Sequence, residues 1–462
     1  MGKISYNAVA YDRLEDFVYA NAVHPVTLKN GMTIGGGTLY PEVNFTLPTM
    51  LITEETFPEV VRIYKEIATG ISERANVLQA PGFVAEIELL PPTTFNPKWG
   101  IEICKAVVDI VKENEAKHGT KGAVRITPVD IREGRDLEHM WHGKHWDSVL
   151  ETFEGSAKAG AEFLAIESVG GKDVHDEALM YTDIGKLLFS YSALACPDME
   201  KLWTEIVKIA DSHGVVPSGD TACGFANTSM VLADKHYIPD VFAAIDRVVA
   251  AVRTLVAVQV GAKGPSKDCG YECVYVKAIT GTPIATEGRT AAVAHLSHIG
   301  NVAMCLSDLW SNESIQHIRL LADFSEVCSF EQLVYDVRLM NEATKRGRDT
   351  ALLLRDLHAD SDSQLNATAY ILRPDIVLGI AKELVKVPDN YFARTKAAAA
   401  LAAAALRKGY DDKRLQLSDK EVKQLDKFSK AIDALPQDEQ EFFENGVRTS
   451  KSLRPEIYDI KK

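Results

Sequence analysis

Short apolar runs and longer segments with helical spacing alternate along the middle of the chain. The short runs predict strands at residues 83–90, 123–127, 163–167, 215–218 and 254–260, with a weaker one at 282–286. Between them, apolar residues recur every three or four positions, which predicts helices over 99–117, 199–212 and 241–252. Strands separated by helices in this way favour a parallel sheet.

The glycine pattern distinguishes an open parallel sheet from a closed one. An open sheet that binds dinucleotides has G-x-G-x-x-G between its first strand and the following helix, and the sequence lacks this pattern. The richest glycine run, at 35–37, precedes no clear helical spacing. We therefore predict an α/β fold: a TIM (β/α)8 barrel with an additional helical layer and a helical C-terminal segment.

The spacing of apolar residues divides the chain into three ranges. Residues 1–80 are predicted to form an N-terminal extension and the first helix, and residues 81–323 the core of the barrel. From residue 324 the spacing is almost wholly helical, so 324–462 is predicted to complete and cover the barrel. An alanine-rich run at 396–406 supports this prediction, because alanine has the highest helix propensity.

Composition and charge exclude several classes of protein. The net charge of −14 argues against nucleic acid as the main partner, since phosphate binding needs a basic face. No apolar run reaches the roughly 18 residues of a membrane span, and the first residues lack the apolar core of a signal peptide. The seven scattered cysteines do not form a disulfide pattern, so we expect a cytoplasmic protein whose cysteines bind metal or react.

Three loops that follow predicted strands carry residues suited to chemistry. Glu167 ends the strand at 163–167 and is followed by glycines. The loop after 215–218 carries Asp220 and Cys223, and the loop after 254–260 carries Cys269. Because the C-terminal ends of the strands of a TIM barrel share one face, these side chains are expected to converge there.

Two thiols and a carboxylate can be interpreted in two ways. Thiolate sulfur and carboxylate oxygen are good zinc ligands, and three protein ligands leave a fourth position for a substrate. Alternatively, Cys223 and Cys269 are small buried side chains, and Glu167 is a barrel carboxylate hydrogen-bonded to a neighbour. Residue types and spacing leave both interpretations open, because the three residues form no short-range motif.

Other groupings of metal-ligand types have weaker patterns. His295 and His298 lie three residues apart and would share one face of a helix, and Cys269 and Cys273 lie four apart. Neither pair has a third residue that completes a recognisable ligand pattern. We therefore interpret both pairs as structural. Glu86 and Glu88 share one side of the strand at 83–90, and the sequence assigns them no role.

Longer strings in and around these loops resemble the methanol:corrinoid methyltransferases, the zinc-containing subunits that feed methanol into corrinoid metabolism in methanogens and acetogens. The resemblance covers most of the chain. It is densest in six stretches: ESVGGK at 167–172, GDTAC at 219–223, ANT at 226–228, KDCGYE at 267–272, VKAITG at 276–281 and WSNES at 310–314. Strings of this length are far more specific than a single glycine motif.

The resemblance implies a function, a cofactor and partners. In the family a glutamate and two cysteines hold zinc, which implies Glu167, Cys223 and Cys269 as the metal ligands here. It also implies a homodimer, methanol as the substrate, and a separate corrinoid protein that docks at the barrel mouth. A cobalamin-binding signature of the D-x-H-x-x-G type is not evident, since Asp356-Leu357-His358 is followed by Ser361 where the glycine should stand.

The chemistry of methanol sets what such a site must do. Hydroxide is a poor leaving group, so a Lewis acid on the oxygen is needed. Two thiolates and a carboxylate give a zinc complex a formal charge of about −1, which weakens its acidity and calls for a strong nucleophile such as a Co(I) corrinoid. We expect in-line attack on the methyl carbon. Asp220 could support a metal ligand and deliver a proton to the departing oxygen, or it could be a cap or turn residue after Gly219.

Three alternatives remain. The same barrel and zinc site could act on another small alcohol or a methoxylated compound. A metal-independent barrel lyase could use Glu167 as an acid or base, with structural cysteines. A non-enzymatic scaffold could bind a corrinoid protein without turnover, which the resemblance disfavours. Zinc content separates the lyase from the methyltransferase.

Overall fold

A computed structural model describes residues 3–45, 50–267, 269–289, 297–314 and 320–461. Its strands are β1 (Asn21–Thr27), β2 (Thr33–Gly36), β3 (Tyr40–Phe45), β4 (Phe83–Leu89), β5 (Gly122–Pro128), β6 (Phe163–Ile166), β7 (Val216–Asp220), β8 (Ala285–Glu287), β9 (Leu309–Ser311) and β10 (Glu313–Ser314). The strands predicted at 83–90, 123–127, 163–167, 215–218 and 282–286 correspond to β4, β5, β6, β7 and β8.

A curved parallel sheet forms the centre of the molecule. Its strands follow the order β7-β6-β5-β4-β3-β9-β8, every pair is parallel, and β10 also pairs with β3. β3 lies in the range 1–80, so the first barrel strand comes before the predicted barrel start at residue 81. β3 has the sequence YPEVNF, in which Pro41, Glu42 and Asn44 interrupt the apolar residues, which explains why it was not predicted.

Residues 263–266 close the sheet into a barrel between β7 and β8. Lys263 N and Gly264 N donate to Pro217 O and Ser218 O, both at 2.8 Å, and Ala285 N donates to Ser266 O at 3.0 Å. The strand predicted at 254–260 is wrong, because those residues continue the preceding helix to Gln259. That helix is buried nearly all round, and a continuous apolar run does not separate a buried helix from a buried strand.

Helices surround the barrel. They are α1 (Phe57–Val77), α2 (Pro91–Phe95), α3 (Pro97–His118), α4 (Lys144–Ala159), α5 (Lys172–Tyr181), α6 (Ile184–Phe189), α7 (Cys196–His213), α8 (Thr228–Asp234), α9 (Asp240–Gln259) and α10 (Cys273–Thr280). Neighbours in the outer ring pack in sequence, α1 on α3, α3 on α4, α4 on α7 and α7 on α9.

The C-terminal region is helical, as predicted. It contains α11 (Ser325–Lys345), α12 (Arg348–Asp362), α13 (Ala367–Tyr370), α14 (Pro374–Leu384), α15 (Tyr391–Asp411), α16 (Asp419–Asp433) and α17 (Glu439–Thr449). α11 packs against β3 and α1 and completes the ring, whereas the alanine-rich α15 packs outside α9 as an extra layer. Small alanine side chains allow this close approach of two helices. No helix in the described ranges is apolar over a length that would cross a bilayer.

A hairpin of β1 and β2 closes the amino end of the barrel. Val26, Met32 and Ile34 form one apolar cluster with residues near the starts of the barrel strands, among them Val84 and Phe163. This cluster fills the barrel at its amino end, which is opposite to the loops that carry Glu167, Cys223 and Cys269.

Asp240 joins the start of α9 to the C-terminal layer, and its carboxylate accepts from Asn366 Nδ2 at 2.9 Å and Ala367 N at 2.5 Å. Burial raises the pKa of Asp240 to about 7, and the charge of Glu421 adds to the shift. Because the folded state holds this proton more tightly than the unfolded state, we expect Asp240 to make stability fall as pH rises from 4 to 7, by at most about 1.4 kcal/mol per pH unit.

Urea unfolding of the wild type and of Asp240→Asn at several pH values tests this expectation. The free energy of unfolding of the wild type, minus that of the variant, should decrease between pH 5 and pH 7. A difference that rises over this interval would contradict the raised pKa.

Candidate metal centre

The structure brings together the three predicted ligands, each from a different loop at the carboxyl end of the barrel. Glu167 directly follows β6, Cys223 comes three residues after β7, and Cys269 comes three residues after the closing segment 263–266. One ligand atom of each lies within 4.8 Å of the other two, and Cys269 Sγ is 3.4 Å from Glu167 Oε1. Cys269 is buried, whereas Glu167 and Cys223 are partly exposed.

These distances fit a tetrahedral zinc ion. Zinc–sulfur and zinc–oxygen bonds of about 2.3 and 2.0 Å at tetrahedral angles place sulfur and oxygen about 3.5 Å apart, and two sulfurs about 3.8 Å apart. The observed separation of 3.4 Å between Cys269 Sγ and Glu167 Oε1 agrees with that value. Two thiols and one carboxylate are also a donor set that zinc accepts, with a fourth position left for a small oxygen ligand.

Burial and acidic neighbours favour the neutral thiol of Cys269 over its thiolate. Burial raises the pKa of the Cys269 thiol well above its ordinary value, and neighbouring Cys223 and Glu167 raise it further. A bound divalent cation reverses this effect, because it favours the thiolate over the thiol. Acidic side chains that disfavour one another's ionised form are typical of functional sites.

The backbone at Cys223 has an unusual local geometry. Residues Cys223–Asn227 form a turn of π-helix before α8, and Asn227 Nδ2 lies 3.8 Å from Cys223 Sγ. π-helical turns are rare and are frequent at functional sites, because the wider turn redirects one side chain. Here the turn places Cys223 at its first position, facing the loop of Cys269.

Lys267 lies beside the three candidate ligands and was not predicted from the sequence. Its ammonium group is 3.1 Å from Glu167 Oε1 and 2.9 Å from Glu86 Oε1, and the Lys267 side chain is 1% exposed. Glu86 also accepts from Thr127 Oγ1 at 2.7 Å, while Glu88 accepts from Asn44 Nδ2 at 2.9 Å. The side of β4 that the sequence left unassigned therefore faces the barrel interior. The alternation of side chains along a strand predicted that Glu86 and Glu88 share one side of β4. It could not show that Lys267 pairs with Glu86.

Asp220 is held by a different set of groups. Its carboxylate accepts from Trp203 Nε1 at 2.9 Å, from Arg253 at 3.0 Å and from Ser168 N at 3.3 Å. Burial raises the pKa of Asp220, although Arg253 opposes the shift. Because Ser168 follows Glu167 directly, these contacts tie Asp220 to the loop that presents one of the three metal ligands.

We predict that Asp220→Asn lowers the free energy of unfolding by about 3 kcal/mol, because it leaves the buried Arg253 without its carboxylate. Asp220→Asn should still bind a divalent metal, since the Asp220 oxygens are engaged by Trp203, Arg253 and Ser168 rather than by the three candidate ligands. Urea unfolding and a measurement of metal content on one preparation test both effects. Loss of the metal from a folded variant would contradict this expectation.

The competing residue pairs do not form a second centre in the described part of the chain. His298 Nδ1 lies 3.3 Å from Asp234 Oδ1, and its predicted partner His295 lies outside the described residues. Cys273 Sγ is 2.9 Å from the carbonyl oxygen of Lys267 rather than beside a metal ligand. Glu167, Cys223 and Cys269 are the one grouping of metal-ligand types that converges among the residues placed by the structure.

A family model, a relative and a solved structure that cover nearly all of the chain point to the same family. Residues 3–459 match the family model of MtaB, the methanol-cobalamin methyltransferase B subunit. The chain is 36% identical over 461 residues to a methanol–corrinoid protein co-methyltransferase of Methanosarcina barkeri (strain Fusaro / DSM 804), covering 98% of each chain. It is also similar to a chain in the crystal structure of the methanol:cobalamin methyltransferase complex MtaBC from Methanosarcina barkeri. That match has a TM-score of 0.93 at 34% identity and covers both chains completely.

Proposed function

The chain belongs to the family of methanol-cobalamin methyltransferase B subunits, and on this basis we propose that it transfers the methyl group of methanol to a corrinoid cobalt. We further propose that the transfer depends on zinc held by Glu167, Cys223 and Cys269. The observation that carries the zinc proposal is the convergence of these three ligand atoms at the open end of the barrel. The predicted enzyme class, methanol–corrinoid protein co-methyltransferase, is confirmed by the full-length relative.

Different residues of this chain have different roles in the proposed reaction. When bound, zinc supplies a Lewis acid that draws electron density from the oxygen of methanol. Glu167, Cys223 and Cys269 fix its position at the barrel mouth. Lys267 places a positive charge beside Glu167 and offsets part of the negative charge of the ligand set. That offset keeps the site electrophilic despite its anionic ligands.

The corrinoid belongs to a partner protein in this proposal. The similar crystal structure is of a complex named MtaBC, which supports a corrinoid protein as the partner of this chain. Because β1 and β2 close the amino end of the barrel, the partner has to approach the carboxyl ends of the strands. The methyl group then moves along a line from the oxygen of methanol toward the barrel opening.

Location in the cytoplasm stays a prediction.

One assay tests the function and its alternatives. The chain is purified without oxygen and mixed with Co(I) cobalamin and methanol, and formation of methylcobalamin is followed by its visible spectrum. Zinc is measured on the same sample. Methylation that requires both methanol and zinc supports the proposal. Zinc without methylation from methanol, but with methylation from another small alcohol or a methoxylated compound, changes the substrate. Absence of both zinc and methylation would favour the metal-independent lyase.

We propose a surface for the predicted homodimer. Tyr335 and Leu339 on α11, and Leu353 and Leu357 on α12, are 49–60% exposed, and each pair lies on one face of its helix. We propose that this apolar surface, on two helices that pack together, contacts a second copy of the chain. Light scattering should give twice the chain mass for the wild type and the chain mass for Leu353→Glu/Leu357→Glu. A wild-type monomer would contradict the dimer.

A further inference from the structure

We infer that Thr221 and Glu272 form a clasp that holds Cys223 and Cys269 at zinc-binding distance. The inference rests on the proposed zinc site and adds residues that position its ligands without contacting the metal. The clasp consists of two side chains, each of which binds the backbone of the opposite cysteine loop. It therefore joins the loop after β7 to the loop before α10.

The two halves of the clasp are reciprocal. Gly270 N, directly after Cys269, donates to Thr221 Oγ1 at 2.9 Å. Ala222 N, directly before Cys223, donates to Glu272 Oε1 at 2.7 Å. Each loop thus supplies one backbone N–H, directly beside its cysteine, and one side-chain acceptor, two or three residues from its cysteine, to the other loop.

The clasp is buried and anchored to a rigid element. Thr221, Glu272 and Thr254 are all fully buried, and Thr254 Oγ1 on α9 donates to the same Glu272 oxygen at 2.6 Å. A Cβ atom on Gly270 would overlap both Glu272 and Thr221, so glycine is required where the loops meet. Buried hydrogen bonds of this kind exchange little with water and hold the two backbones in one arrangement.

The clasp matters because metal affinity depends on the separation of the ligand atoms. Metal–ligand distances must lie within about 0.2 Å of their ideal values, and Cys223 and Cys269 belong to loops far apart in sequence. Neither loop is fixed by a sheet ladder at its cysteine. Without the clasp, the separation of the two loops would be held less firmly, and the metal would bear more of the entropy cost of ordering them.

Thr221→Val tests the clasp, because valine keeps the shape of threonine and removes the acceptor. Zinc affinity is measured on the full-length chain by competition with a chromophoric chelator, and Co²⁺ is bound in parallel to record the thiolate-to-cobalt absorption. Loss of a residue that supports metal ligands typically weakens binding about 10- to 100-fold, and we expect that loss here together with a weaker thiolate band. Thr221→Ser, which restores the hydroxyl, should recover most of the affinity.

Matched variants separate the clasp from general effects on folding. Thr152→Val also removes a buried threonine hydroxyl, one that donates to Ser148 O within α4, and it should leave zinc affinity unchanged. Glu272→Met, which removes the oxygen that accepts from Ala222 N, decides the question if Thr221→Val does not fold, and the same loss of affinity is expected. Wild-type affinity and an unchanged cobalt spectrum in the folded variants would overturn the clasp. A wild-type chain that binds no zinc would overturn the proposed metal site itself, a separate result.

Discussion

Replacing Cys269 by alanine is expected to remove zinc and to lower the rate of methyl transfer by about a thousandfold or more. Cys269 is the most deeply buried of the three ligands, and its sulfur lies 3.4 Å from Glu167 Oε1. Two remaining ligands cannot hold zinc in a closed tetrahedral geometry. Loss of the Lewis acid removes several kcal/mol of transition-state stabilisation, and each 1.4 kcal/mol is a factor of about ten in rate.

The measurement pairs zinc content with methylcobalamin formation on the same anaerobic preparation. Cys104→Ala is the matched control, because Cys104 is also a fully buried free cysteine but lies in α3. This control should keep its zinc and its rate, although it loses packing. A Cys269→Ala protein that still binds one zinc and still methylates cobalamin would show that Cys269 is not a ligand.

Replacing Lys267 by methionine is expected to lower the free energy of unfolding by about 3–5 kcal/mol. The ammonium group lies between the carboxylates of Glu86 and Glu167 and is 1% exposed. Methionine matches the volume of lysine but leaves two close carboxylates without this cation, and breaking a buried ion pair costs about that amount. Urea unfolding of the metal-free chain measures the effect apart from zinc.

Two further variants check the cause of the Lys267→Met effect. Adding Glu86→Gln to Lys267→Met should recover part of the lost stability, because it removes one of the two carboxylates that face each other. Lys105→Met removes an exposed lysine paired with Asp109 on α3, and it should change stability by less than about 1 kcal/mol. If the double variant is no more stable than Lys267→Met, the loss of stability comes from lost packing and not from the unpaired carboxylates.

Periodicity predicted most elements near the site, and where it failed the reason is identifiable. β4, β5 and β6 stand close to their predicted positions because short apolar runs between helices are typical of buried parallel strands. The apolar run at 254–260 is equally typical of a buried strand and of a buried helix. In the structure its residues up to Gln259 belong to α9, which packs between α7 and α15. The barrel position expected from that run is instead filled by 263–266, which has no apolar pattern.

The site was predicted in part. Residue chemistry offered Glu167, Cys223 and Cys269 as one of two interpretations, and the resemblance to methanol:corrinoid methyltransferases favoured zinc. The structure brings one ligand atom of each residue within 4.8 Å of the other two, and zinc at this grouping stays a proposal. Lys267 stands two residues before Cys269 in the sequence, yet nothing local indicates that it reaches across the barrel to Glu86. Contacts of that kind join residues far apart in the chain, which no local pattern encodes.

The sequence by itself determined the fold class, the helical C-terminal region and the family. The spacing of apolar residues and the stretches shared with the family involve residues that are near one another in the chain, so both can be recognised without the structure. The tertiary structure alone decided which groups surround the ligands. It placed Asp220 against Arg253 and Trp203, and it linked the two cysteine loops through Thr221 and Glu272. The physical reason is that closing a barrel brings distant strand ends within hydrogen-bonding distance, and only the closed barrel fixes which side chains meet there.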